Sequence, residues 1–224
     1  MNSTDVAIID YGLGNLFSIK HACEHVGLTV SITNEIDQIL SAKSVILPGV
    51  GAFGDAMKAL RRLDLISPIK DVFSKGTPLL GICLGLQLLF TESEEFGHHK
   101  GLDLIPGTVK YFSVQQEGDR TLKVPQVGWN SINLPPEAHS DHWESSLLHK
   151  VPTGTDMHFV HSCYVVPENA DNILSVTRYG EIEFCSGSQH KNITAFQFHP
   201  ERSGKMGLQV YTNFAQKIHS SEEQ

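Results

Sequence analysis

Apolar residues along this chain follow two rhythms. In the first half, short continuous apolar runs alternate with stretches of helical spacing. Val6–Ile9 is one such run, closed by Asp10 and a glycine-containing turn. Residues 28–32, residues 45–47 and Leu79–Ile82 repeat it. Residues 16–26, 55–63, 67–75 and 84–92 place apolar side chains three and four apart, the helical period, and Gly27 stops the first of these helices. Short all-apolar strands separated by helices predict a parallel sheet covered on both faces.

The second half is richer in β-branched and aromatic residues, at 108–112, 159–166, 173–178, 182–186 and 194–198. Gly128, Pro135-Pro136 and Gly187 punctuate it, so these segments read as extra antiparallel strands. A last helix over 207–218 gathers Leu208, Val210, Tyr211, Phe214 and Ile218 on one face. Residues 135–150 read as an irregular surface loop. With no internal repeat and no convincing linker, residues 1–224 read as one α/β domain. It has three layers: a mostly parallel central sheet with flanking helices, in the flavodoxin-like manner, plus antiparallel strands.

Composition narrows the function classes. The chain has 224 residues, 40% hydrophobic and 19% charged. That is the make-up of a folded domain. Its net charge of −8, with no basic cluster beyond a pair such as Arg61-Arg62, argues against nucleic acid. The apolar stretch 79–90 is too short to span a bilayer and holds Gly81, Gly85 and Gln87. The first five residues lack a basic region and a signal core, so no membrane and a cytoplasmic location are expected. Four cysteines without a C-x-x-C pair are expected to be reduced and to bind no zinc.

The sharpest chemical signal is Gly81-Ile82-Cys83-Leu84-Gly85, after a buried strand and before a helix. This is a nucleophile-elbow pattern with cysteine in place of serine. Glycines admit the tight turn, and the turn lifts the sulfur to a helix N-terminus that favours thiolate. The Leu84 backbone N–H then faces the position of a developing oxyanion. A small buried cysteine in a core turn is the plain alternative.

A nucleophilic cysteine needs a base, and Gln197-Phe198-His199-Pro200-Glu201 ends another strand. His199 would move the proton, and Glu201 would orient the imidazole. Pro48-Gly49-Val50-Gly51-Ala52-Phe53-Gly54 fits G-x-G-x-x-G, the dinucleotide fingerprint. However, the next strand ends in Cys83 rather than in a ribose-binding carboxylate. The glycines read better as a second oxyanion donor beside the sulfur. The Asp10 loop lies at a strand's C-terminal end, where open α/β sheets bind ligands. His158 and His161, three apart on a strand, face opposite ways and read poorly as metal ligands. No metal and no cofactor are expected.

Together these pieces resemble the class I, triad-type glutamine amidotransferases, and within them the branch that serves imidazole glycerol phosphate synthase. The resemblance covers nearly the whole chain. It rests on the loop from Asp10 to Leu16, the Pro48 loop, Gly81–Leu89 with Gln87, Gly128-Trp129-Asn130, Phe159-Val160-His161-Ser162 and the His199-Pro200-Glu201 run. It implies a Cys83, His199 and Glu201 triad, with Gly51 and Leu84 at the oxyanion hole. Gln87, Glu95, Ser162 and Tyr164 would recognise glutamine, Glu95 one helix-length beyond the nucleophile.

It also implies a heterodimer with a (β/α)8 barrel cyclase, with Asn15, Gln126, Trp129, Asn130, His158 and Arg202 at the interface or along the ammonia route. The chain departs from the family at Gln126-Val127, usually His-Met, at His158 and Cys163, both usually Tyr, and at Arg202, usually Lys. A paralogue feeding ammonia to another synthase, such as one amidinating a surface sugar, carries the same motifs.

Overall fold

The computed structural model describes residues 4–113, 116–117 and 120–220; Met1–Ser3, part of the amino-terminal reading, lie outside them. In chain order the elements are β1 (Val6–Ile9), α1 (Leu16–His25), β2 (Val30–Thr33), α2 (Ile36–Ser41), β3 (Ser44–Leu47), α3 (Phe53–Arg62), α4 (Ile66–Ser74), β4 (Leu79–Ile82) and α5 (Leu84–Leu88). There follow β5 (Phe90–Ser93), β6 (His99–Lys100), β7 (Ile105–Tyr111), β8 (Gln116–Glu117), β9 (Arg120–Thr121), β10 (Gln126–Ile132), β11 (Thr155–His161) and β12 (Cys163–Pro167). The chain closes with β13 (Ile173–Tyr179), β14 (Ile182–His190), β15 (Ile193–Phe196) and α6 (Gly204–Ser220).

The main sheet runs β2-β1-β3-β4-β15-β14-β12-β7-β5-β6, with β13 on β14. Its first five strands are parallel, and β14 begins the antiparallel part. Every residue of β1, β3 and β4 is buried, because successive side chains feed opposite covered faces. Ala7 and Ile9 join the cluster under α2, α3 and α4, around Ile39, Phe53, Leu60 and Ile69. Val6 and Ile8 join the opposite cluster, beneath Ile19 of α1 and Val210, Tyr211 and Phe214 of α6.

Three expectations change. The helix read over 84–92 stops at Leu88, and Phe90–Ser93 becomes β5, parallel to β7. Residues 84–90 are all buried, which no single helix face accommodates, so sheet pairing overrides the helical spacing. The strand read over 159–166 breaks at Ser162, where the chain passes from one sheet to another: β11 pairs with β10, and β12 joins β7 and β14. Residues 135–150 are irregular, but Trp143, Leu147 and Leu148 are buried, and the Trp143 indole donates to the Leu174 carbonyl at 2.7 Å. That loop is part of the core rather than a surface excursion.

Candidate active site

Strand β4 ends at Ile82 in register with Phe196 of β15, and the Cys83 N–H donates to the Phe196 carbonyl at 2.8 Å. The two strands are parallel, so Cys83 and the residues from Gln197 to Glu201 leave the sheet at the same edge. Cys83 adopts φ 56 and ψ -112 degrees. An L-residue holds such a conformation at a cost of about 1–3 kcal/mol. A Cβ on Gly85 would collide with the Leu47 carbonyl oxygen, and one on Gly81 would sit 2.9 Å from the Ala195 Cβ. Glycine on each side is therefore a packing requirement of the elbow.

The Pro48 loop lies against this turn. A Cβ on Gly49 would strike the Tyr11 hydroxyl and come within 2.9 Å of the Leu84 Cβ. The Tyr11 hydroxyl donates to the Pro48 carbonyl at 2.6 Å. Gly51, at φ 105°, lies in the glycine-favouring region. Cys83, Leu84, Gly51, Val50, Asn15, Gln87, Glu95, Ser162, His199 and Arg202 all line one cleft of about 270 Å³.

His199 lines the cleft with Cys83 and interacts electrostatically with it. On its other side Nδ1 pairs with Glu201 Oε1 at 2.8 Å, with Glu201 fully buried. The carboxylate fixes Nδ1 as the donor, which turns Nε2 toward Cys83. Burial pulls the His199 pKa down, but its interactions with Cys83 and Glu201 outweigh that and raise it to about 10. An imidazole that keeps its proton is the natural partner of an ionised sulfur.

Glu95 reaches the cleft from beyond β5, not from the end of a helix. Its Oε2 accepts the Phe53 N–H at 2.6 Å, at the first turn of α3. A carboxylate thus occupies the helix terminus where a dinucleotide pyrophosphate would sit, which removes the nucleotide reading of the glycine loop. The Cys163 thiol also lies within electrostatic reach of Glu95. Burial, followed by the Glu95 charge, pushes that thiol far above its usual range.

Not every residue singled out in the sequence reaches the cleft. Tyr164 does not line the cleft and packs against Phe112, with ring centroids 4.8 Å apart and the rings tilted by 35°. It follows Cys163 on a strand, so it faces the opposite side. Gln126 is buried, its side-chain amide 3.1 Å from His161 Nε2, and it braces β10 against β11. His161 also donates Nδ1–H to the Cys163 carbonyl at 2.7 Å. Burial is the main cause of its pKa falling to about 4, so it is a neutral brace.

Trp129 is exposed and meets the edge of His158, whose ring lies 6.3 Å from that of His199. Asn130 donates to the Arg178 carbonyl at 2.9 Å. Sequence reasoning overlooked Gln197 as a site residue, although it stands two positions before His199 on the same strand end; its amide touches the Cys83 sulfur.

The glutamine amidotransferase class-I family pattern matches residues 7–218. The chain belongs to the class-I glutamine amidotransferase family. Among class-I amidotransferase relatives, the imidazole glycerol phosphate synthase subunit HisH of Moorella thermoacetica is 45% identical over 213 residues, 95% of each chain. The subunit of the same name from Syntrophotalea carbinolica is 44% identical, covering 93% of this chain and 98% of that one. Solved amidotransferases share the fold at low identity. PurLQS of Thermotoga maritima superposes with a TM-score of 0.66 at 18% identity, over 95% of this chain and 98% of the other. The glutaminase domain of Trypanosoma brucei CTPS, with bound acivicin, gives 0.61 at 13%, over 96% and 93%.

Proposed function

We infer that this chain is the glutaminase subunit of an imidazole glycerol phosphate synthase, hydrolysing glutamine to glutamate and ammonia and passing the ammonia to a barrel cyclase. The observation that carries this reading is Cys83 and His199 lining one cleft, with the buried Glu201 carboxylate 2.8 Å behind His199 Nδ1. It occurs in a chain whose relatives, at 40–45% identity, are named as that synthase's HisH subunit. We take residues 1–224 as one amidotransferase domain working in the cytoplasm.

Glutamine enters with its α-ammonium toward Glu95 and its side-chain amide at Cys83. The Cys83 sulfur attacks the amide carbonyl while backbone N–H groups at Gly51 and Leu84 hold the oxyanion. The C–N bond breaks as His199 gives its proton to the departing nitrogen, and a γ-glutamyl thioester remains on Cys83. Water, activated by His199, then releases glutamate. Free ammonia in bulk water near neutral pH takes up a proton and ceases to be a nucleophile, so it leaves through a sheltered route to the acceptor. In the cyclase the ammonia closes the imidazole ring of imidazole glycerol phosphate and releases an aminoimidazole carboxamide ribotide.

Val127 and Trp129 of β10 stand opposite Val160 and His158 of β11 in register, and Val127, Trp129 and Val160 are exposed. Asn15 and Arg202 lie at the cleft mouth. With them, this ribbon face is the docking side for the (β/α)8 partner, with which the chain forms a heterodimer. The test is glutamate release with and without the barrel subunit and its nucleotide substrate, together with rescue of a histidine auxotroph that lacks the subunit. Strong stimulation and rescue are expected. Glutaminase activity without rescue would reassign the ammonia to another synthase.

A further inference from the structure

A buried row of amides leads to the nucleophile. The Gln87 amide nitrogen donates to the Cys163 carbonyl at 3.1 Å and to Gln197 Oε1 at 3.0 Å, and Gln197 Nε2 reaches the Cys83 sulfur at 3.7 Å. Gln197 is fully buried and Gln87 nearly so.

The direction of this row follows from one atom. A backbone carbonyl accepts and cannot donate, so Gln87 must turn its NH2 group toward Cys163. The second hydrogen of that NH2 then points at Gln197, which must answer with its carbonyl oxygen. A side-chain amide has its nitrogen opposite its oxygen, so Gln197 is left presenting N–H to the sulfur. Flipping either amide would set two acceptors or two donors face to face in a buried site.

We propose that Gln197 is a catalytic hydrogen-bond donor to the Cys83 thiolate, and that Gln87 and the Cys163 carbonyl hold it in the donating orientation. The other groups facing the sulfur are consistent with this assignment. Val160 offers its carbonyl at 3.7 Å and serves the protonated thiol alone. His199 supplies positive charge, and Tyr11 lies within electrostatic reach. Gln197 is the neutral side chain that favours the ionised sulfur over the thiol. The relay also commits both amide hydrogens of Gln87, so only its Oε1 is free to meet glutamine.

This inference rests on Cys83 being the nucleophile but not on the identity of the ammonia acceptor. Its experiment therefore needs neither glutamine nor a partner: iodoacetamide alkylation of Cys83 in the full chain, followed by mass spectrometry with Cys83→Ala as the blank. Gln197→Leu should slow alkylation near neutral pH by about tenfold, the effect of losing one hydrogen bond to a charged group. In strongly alkaline solution, where the thiol is ionised regardless, the two rates should converge. Gln87→Leu should slow alkylation less, and it should add nothing in the Gln197→Leu background, because it acts through Gln197. Equal rates at neutral pH, or additive effects of the two substitutions, would overturn the relay.

The unaltered chain offers an independent reading if the variants fold poorly. The side-chain amide resonance of Gln197 in a 15N-labelled sample should move when Cys83 is alkylated. A stationary resonance would overturn the proposal equally. If the unaltered chain shows no glutaminase activity while Gln197→Leu slows alkylation as expected, the assigned substrate fails and the relay stands.

Discussion

The parallel strands β1, β3 and β4 are buried at every position, whereas the ribbon of β10 and β11 alternates buried with exposed residues. The first region has no solvent face on which a side chain can change freely. The second keeps one face for the core, with Ile132, Met157 and Phe159, and turns Val127, Trp129 and Val160 outward. The proposed nucleophile follows β4 of the first region, its proposed base lies just beyond β15 at the seam, and Val160 of the ribbon lines the same cleft. On the proposed reading, chemistry is thus anchored where packing tolerates little, and partner docking where packing tolerates much.

The largest effect expected is on catalysis. Cys83→Ala should reduce glutamate release by roughly 1,000-fold or more, measured with saturating glutamine. Hydrolysis that persists would remove the catalytic role from the rigid region altogether. Next comes a paired glycine test of stability by chemical denaturation. Gly85→Ala drives a Cβ into the Leu47 carbonyl. It should cost about 3 kcal/mol. Gly128→Ala in the ribbon meets no atom within 4 Å and carries only the strain of φ 139°. It should cost about 1 kcal/mol. Equal costs would break the contrast between the two regions.

A third test uses pH. His199 binds its proton more tightly in the folded chain, with its pKa raised from 6.5 to about 10. Its contribution to stability is therefore complete below pH 6.5 and is lost as pH climbs through about 10. Glu201→Gln removes one support of that proton and should flatten the decline, read from urea midpoints across the same range. An unchanged slope would detach Glu201 from His199. The smallest effect on stability is expected at exposed Trp129. Trp129→Ala should shift unfolding by less than about 0.5 kcal/mol, while weakening association with the barrel subunit by about tenfold.

The legibility of the sequence follows the same division. All-apolar runs such as Val6–Ile9 and Leu79–Ile82 admit one reading, because both faces demand hydrophobic residues. The proposed triad is legible for a related reason: Cys83 ends such a run, His199 follows a strand-like segment, and strand ends at one sheet edge converge. Short β5 is hidden because residues 84–92 keep a helical spacing that sheet pairing overrides from Phe90, and β10 because Gln126 and Trp129 obey pairing with β11 rather than a propensity. Tyr164 and Gln126 rest on resemblance alone. Their orientation depends on strand register and on the break at Ser162, which no local pattern encodes.

The segment from Pro48 to Phe53 is tied at both ends, by the Tyr11 hydroxyl at one and the Glu95 carboxylate at the other. It is like a string stretched between two pegs: it cannot drift as a whole, and any adjustment must be a rotation of the peptides between Gly49 and Ala52. One peg, Glu95, is the carboxylate that would greet an incoming amino acid. On the proposed reading, an amino acid that engages Glu95 would tug on the strip of backbone assigned to cradle the reacting oxygen.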